Sequence, residues 1–220
     1  MQRKIEYYPG SQTVKKAYIV MKNGLDFREE FFPNGQLAKR YFCKNGKLHG
    51  IYQEYNRYGI LVKKCGYKNG KKNGPYASYY LNGEPLLKCS YKNGKKDGHH
   101  ERYECGKLIE DFGYEDGKLN GRCVRYLHSI KMLTVSLYEN GQMIGPKNVF
   151  DFNGNLLERQ HYTSYPKNFG QKWFVESYTD GRVTGVSIFE NGKELYQSGV
   201  NHQKDILQKF YQQNFCASKD

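Results

Sequence analysis

The most reactive-looking stretch of the chain is "GHHERYE", Gly98–Glu104, where His99 and His100 stand side by side. A histidine pair could serve acid–base chemistry or hold a metal, provided that a carboxylate, a thiol or a third histidine joins it at a fixed spacing. The other histidines, His49, His128, His161 and His202, do not supply that spacing. None of the six cysteines forms a C-x-x-C pair, which argues against a zinc site. The chain has no Gly-x-Ser-x-Gly elbow and no phosphate-cradling Gly-Lys-Ser/Thr loop. The expectation is a protein without catalytic residues, cofactor or metal, and therefore not an enzyme. Two abundant groups remain: 35 Lys and Arg against 22 Asp and Glu, a net charge of +13, and 21 tyrosines.

Both groups are arranged periodically. Counting the glycine of each Asn-Gly or Asp-Gly pair gives Gly24, Gly46, Gly70, Gly94, Gly117 and Gly141, steps of 22 to 24 residues. Four residues on, a second glycine recurs at Gly50, Gly74, Gly98, Gly121 and Gly145. A third marks mid-unit at Gly35, Gly59, Gly83, Gly106 and Gly154. The glycines thus follow the unit and belong to turns. His100 occupies the slot of Tyr52 and Tyr76, which makes it a variant of the repeat rather than half of a reactive pair.

Asn-Gly flanked by short runs of Tyr, Phe, Val and Leu is the strongest short-range hairpin signal, since both central residues of the tight turn need positive φ. Each unit then reads as one hairpin, and a lone hairpin is marginal in water, so units must stack. The predicted fold is an all-β repeat protein: an elongated, twisted antiparallel sheet of stacked β-hairpins over residues 1–200, clear to about Leu156 and degenerate over residues 157–180. Gly74 and Gly98 are expected at positive φ, so valine at either position should destabilise the fold. The tail differs. "NHQKDILQKFYQQNF" from Asn201 places Ile206, Leu207, Phe210, Tyr211 and Phe215 on one helical face, which predicts a C-terminal capping helix within residues 201–220.

Repetition aligns equivalent residues. Tyr55, Tyr79, Tyr103 and Tyr126 form one predicted aromatic ladder, with Phe150 beyond them. Cys43, Tyr67, Tyr91, Tyr114 and Tyr138 form another. Stacked aromatics can hold a thin sheet together or present a binding surface, and the two roles are compatible. Lysines cluster at the opening turns, with Lys71, Lys72, Lys95 and Lys96 at the densest part, so one rim should be basic. Such lysines either guard against edge association or steer an acidic partner. The predicted partner-binding set is Tyr55, Tyr79, Tyr103, Tyr126, Lys71, Lys72, Lys95 and Lys96. Cys65 and Cys89 fall one repeat apart, about 9–10 Å in a hairpin stack, too far for a disulfide. With no apolar run after "MQRKIEYYPG" and no stretch approaching a membrane span, a reduced, cytoplasmic protein is expected.

The unit Tyr-x-Asn-Gly-Lys-x-x-Gly-x-x-x-x-Tyr-x-x-x-Gly-x-Leu, as in "YKNGKKNGPYASYYLNGEPL" and "CKNGKLHGIYQEYNRYGIL", resembles the MORN repeat variant. The resemblance covers Tyr7–Leu156 well and Gln160–Gln197 weakly. It implies a stacked-hairpin interaction module. For chains built almost wholly of the variant, it also implies an antitoxin or immunity protein that binds and neutralises a cognate toxin or enzyme. The alternative is a peripheral adaptor that holds anionic membrane lipid or nucleic acid through its basic rim.

Overall fold

In the computed structural model the Asn-Gly pairs turn the chain back on itself repeatedly. The structure describes residues 2–21, 24–162, 173–190 and 193–199. Both central residues carry positive φ at Asn45-Gly46, Asn69-Gly70, Asn93-Gly94, Cys105-Gly106, Asp116-Gly117, Asn140-Gly141 and Asp180-Gly181. This is the backbone that matches the right-handed twist of the flanking strands. Asn and Asp reach that region with local side-chain support, whereas Cys105 does so without it. The mid-unit connections are longer loops. Gly35 donates its N–H to the Phe32 carbonyl, Gly59 to Asn56, Gly83 to Tyr80 and Gly154 to Asp151, each glycine taking the left-handed position.

The chain divides into two units, Met1–Lys118 and Leu119–Asp220. The first contains β1 (Gln2–Tyr7), β2 (Val14–Val20), β3 (Leu25–Phe31), β4 (Leu37–Lys44), β5 (Lys47–Tyr55), β6 (Leu61–Lys68), β7 (Lys71–Tyr79), β8 (Pro85–Lys92), β9 (Lys95–Glu104) and β10 (Lys107–Glu115). Each strand pairs antiparallel with the next in sequence. The second contains β11 (Lys118–Leu127) from Leu119 on, a 3-10 turn at His128–Ile130 and β12 (Met132–Glu139). It continues through β13 (Gln142–Met143), β14 (Lys147–Asp151), β15 (Leu156–Tyr162), β16 (Trp173–Thr179), β17 (Arg182–Glu190) and β18 (Lys193–Gly199). Here too neighbouring strands are antiparallel, with β12 pairing both β13 and β14. The stacked-hairpin reading is therefore correct. The predicted capping helix falls on residues 201–220, outside the described residues.

Partner residues in an antiparallel ladder share a face, so the register reads out what each face carries. In the first unit one row crosses the strands as Tyr18, Arg28, Tyr41, Tyr52, Cys65, Tyr76, Cys89, His100 and Phe112. Small thiols alternate with large rings along its middle, so the rings lean over their neighbours. Cys65 is 1% exposed and Cys89 8% as a result. Ring pairs stitch adjacent strands on this face: Tyr41–Tyr52 at 5.8 Å, Tyr52–Tyr67 at 6.0 Å, Tyr76–Tyr91 at 5.9 Å and His100–Tyr114 at 5.5 Å. Such pairs add about 0.5–1.5 kcal/mol each beyond area burial. Burial pushes the Cys43, Cys65 and Cys89 thiols up, away from the reactive thiolate.

The second unit uses more aliphatic residues. Phe174 is fully buried, packed with Val186, Val183 and Ile188, and stacked on His161 at 4.2 Å. Burial raises the Glu176 carboxyl, but hydrogen bonds to His161 and Tyr178 outweigh it and hold the group below its ordinary value. No helix among the described residues is long and apolar enough to cross a membrane.

Candidate partner-binding faces

The first unit turns a different chemistry to each side. On the aromatic face, described above, every charge has local company. Lys72 Nζ lies 4.9 Å from the Tyr76 ring centroid and 4.6 Å from that of Tyr91, and Lys96 Nζ lies 4.6 Å from that of Tyr114. Lys63 sits 3.5 Å from Glu54 and 5.3 Å from the Tyr52 ring centroid. The Tyr52 hydroxyl donates to Glu54 at 3.1 Å, and that of Tyr41 to Glu30 at 2.8 Å. Burial, reinforced by those carboxylates, raises both phenols. Tyr91 is likewise pushed up to about 12 by burial.

The opposite face is set by the other strand parity. Its central row runs Glu29, Arg40, Gln53, Lys64, Ala77, Lys88, Glu101 and Asp111. Toward the opening turns the same parity brings Lys44 opposite Lys47, Lys68 opposite Lys71 and Lys92 opposite Lys95. Like charges directly across a ladder cost stability. One of the six is neutralised: Lys95 Nζ meets Asp116 at 2.7 Å and holds that carboxyl below its ordinary value. Among the described residues no salt bridge reaches Lys44, Lys47, Lys68, Lys71 or Lys92. All five are exposed. The turns bearing them are stacked: Gly70 donates to the Leu48 carbonyl, Gly94 to Lys72 and Gly117 to Lys96, each at 2.8 Å.

The predicted set is therefore split. Lys71 and Lys95 are exposed on the lysine face. Lys72 and Lys96, one residue along, are half-buried on the aromatic face. Tyr103 belongs to the lysine face: its hydroxyl donates to Glu101 at 2.7 Å, and Lys88 Nζ lies 5.1 Å from its ring centroid. Burial and the Glu101 carboxylate push this phenol up to about 12. Strand alternation gives Tyr55 and Tyr79 the same face, both half-buried. Tyr126 lies in the second unit, stacked on His128 at 6.0 Å. The tyrosines that meet other rings across strands in the first unit include Tyr41, Tyr52, Tyr67, Tyr76, Tyr91 and Tyr114, and Phe27 meets Phe42 at 5.1 Å on the lysine face. Three of those tyrosines, Tyr41, Tyr52 and Tyr76, fall outside the predicted ladders. Their signal was available as the recurrence of Tyr52, Tyr76 and His100, 24 residues apart.

The histidine pair is also divided between faces. His100 is 9% exposed, against the Tyr114 ring, and burial lowers its pKa. His99 is exposed and bonds Asp111 at 2.9 Å, which raises its pKa. Among the described residues no group of three His, Cys, Asp or Glu side chains could hold a metal ion. An open recess of about 430 Å³ between turns is lined by Lys71, Lys92, Asn93, Lys95, Asp97, Glu115 and Asp116, a groove of mixed charge. No family model and no curated protein matches the chain.

Proposed function

We propose that the chain is a non-catalytic, protein-binding repeat module whose lysine face docks an acidic partner. The reading follows the resemblance of its units to the MORN variant: an immunity-type factor that neutralises a cognate toxin or enzyme by covering it. The observation that carries the binding role is the run of opposed lysine pairs. Three successive turns hold like charges against one another, and five of the six lysines lack a salt bridge among the described residues. An arrangement that costs stability when empty is relieved when carboxylates arrive, and it steers their approach. The flanking tyrosines Tyr55, Tyr79 and Tyr103 add contact area at low side-chain entropy.

The test is co-expression with the polypeptide encoded next to this chain. The expected outcome is a complex that co-elutes in size-exclusion chromatography and restores growth to cells in which that polypeptide alone is toxic. No complex, together with salt-sensitive binding of a 20-nucleotide oligo-dT or of phosphatidylserine vesicles, would replace the protein-binding reading with the polyanion or membrane one.

A further inference from the structure

On the lysine face of β4–β9 the cations are ordered in two dimensions. Across the strands Lys64 and Lys88 lie two strands apart, and the opposed pairs Lys44/Lys47, Lys68/Lys71 and Lys92/Lys95 recur every second strand. Strand spacing makes that repeat about 9.6 Å. Along β6 the order is Lys64, Gly66, Lys68, and along β8 it is Lys88, Ser90, Lys92. Four residues of strand separate the two lysine columns by about 13 Å. The strip between them is low on β6 and β8, whereas on β4 it holds Phe42, packed on Phe27 at 5.1 Å. The β7 bulge lays the Asn73 carbonyl over Gly66, so close that a Cβ there would meet it at 2.3 Å. On β9 the Asp97 carbonyl accepts from the Ser90 hydroxyl in the same way. Within the strip Ile51 stands directly opposite Gly66 and Pro75 directly opposite Ser90, both exposed, so its floor is apolar on β5 and β7.

We infer that this strip seats an acidic α-helix of the partner, lying across the strands between the two lysine columns. The inference rests on the protein-binding reading above and names the element recognised. Two lengths agree. A helix with its side chains is about 10–12 Å wide, which fits between columns about 13 Å apart. Carboxylates seven residues apart on a helix are about 10.5 Å apart, close to the repeat of about 9.6 Å between lysines. A helix with Asp or Glu at that interval on both flanks, and small or apolar residues beneath, meets every column in register. Phosphates along a single strand, or lipid headgroups, present charge without that interval.

The experiment uses the full chain and three probes in fluorescence anisotropy. The first is a 21-residue helical peptide with glutamates every seventh position on both flanks. The second is a composition-matched helical peptide with glutamates every fifth position, and the third is a 20-nucleotide oligo-dT. The heptad peptide is expected to bind about 10-fold more tightly than its mismatched counterpart, as register-dependent charge pairing requires. The variant Lys68→Glu/Lys92→Glu should lose that affinity by about 10-fold or more, while Lys72→Gln/Lys96→Gln on the other face stays within about twofold. Both reversals place unlike charges opposite Lys71 and Lys95, so the fold should survive, as a melting curve will show. Equal affinity for the two peptides, or tighter binding of oligo-dT, overturns the helix inference. If the peptides fail to discriminate but the neighbour-encoded protein still binds in a Lys68- and Lys92-dependent way, the helix inference alone falls. If that protein does not bind either, both fall.

Discussion

His100 shows how one substitution within a repeat changes the protein's response to pH. It stands in the row of Tyr52 and Tyr76, buried against Tyr114, with Lys96 and Arg102 nearby disfavouring its charged form. Its folded pKa lies below the unfolded value of about 6.5, so the unfolded chain binds the extra proton first as pH falls. The stability that depends on neutral His100 is fully present above about pH 6.5 and is lost as pH drops through the folded pKa. His99 has the opposite sign: its pKa is raised by Asp111, so its contribution is present below about pH 6.5 and fades as pH rises. It is 77% exposed, and solvent screening keeps that contribution small. His100→Tyr, which restores the residue of the neighbouring units, should therefore flatten the loss of melting temperature between pH 7 and pH 5. An unchanged acid slope would place the titrating group elsewhere. Gly66 gives a second residue-scale expectation. Its φ is unremarkable, but a methyl group would strike the Asn73 carbonyl at 2.3 Å. Gly66→Ala should cost about 1–3 kcal/mol in urea unfolding, as overpacking does. A neutral effect would show that the β7 bulge gives way.

At the scale of the hairpin the turns are nearly uniform, and the exception is informative. Asn45, Asn69, Asn93, Asp116, Asn140 and Asp180 take the first left-handed position of their turns, and Cys105 takes it in one more. Replacing Cys105 with asparagine should stabilise the protein by about 0.5–1 kcal/mol, because asparagine visits that region at less cost. A lower melting temperature for Cys105→Asn would show that the thiol contributes there. Iodoacetamide should label exposed Cys105 in the folded protein while Cys43, Cys65, Cys89 and Cys123 stay protected until denaturant is added, as mass spectrometry can read. These turns were legible in the sequence because their chemistry is local: Asn-Gly needs no knowledge of what lies across the sheet. The faces were harder to read. Lys71 and Lys72 are neighbours in the chain and share a turn, yet strand parity sends one to each side. Period alone puts Tyr55, Tyr79 and Tyr103 in one ladder, whereas the rings in contact depend on the cross-strand register. That register shifts at bulges such as Cys65/Tyr67 against β7 and Cys89/Tyr91 against β9. A repeat count does not show such offsets.

At the scale of the molecule the chain carries a net charge of +13, and its first unit sorts positive charge between its faces rather than spreading it. In the first unit the aromatic face holds its cations over rings or beside carboxylates, and the lysine face leaves most of them to solvent. The Asn-Gly period and the lysine clusters made the stacked hairpins and a basic rim legible. Which side the rim served was not, because that depends on register. The central claim is that only one face docks, and stopped-flow association with the neighbour-encoded protein tests it most directly. Reversal of Lys71 and Lys95 to glutamate should slow association about 10-fold or more and flatten its salt dependence, as loss of steering charge does. The same reversal at Lys72 and Lys96 should leave the association rate within about twofold in protein that still folds, since those cations face away. Equal slowing by both pairs, or slowing by Lys72 and Lys96 alone, would contradict it.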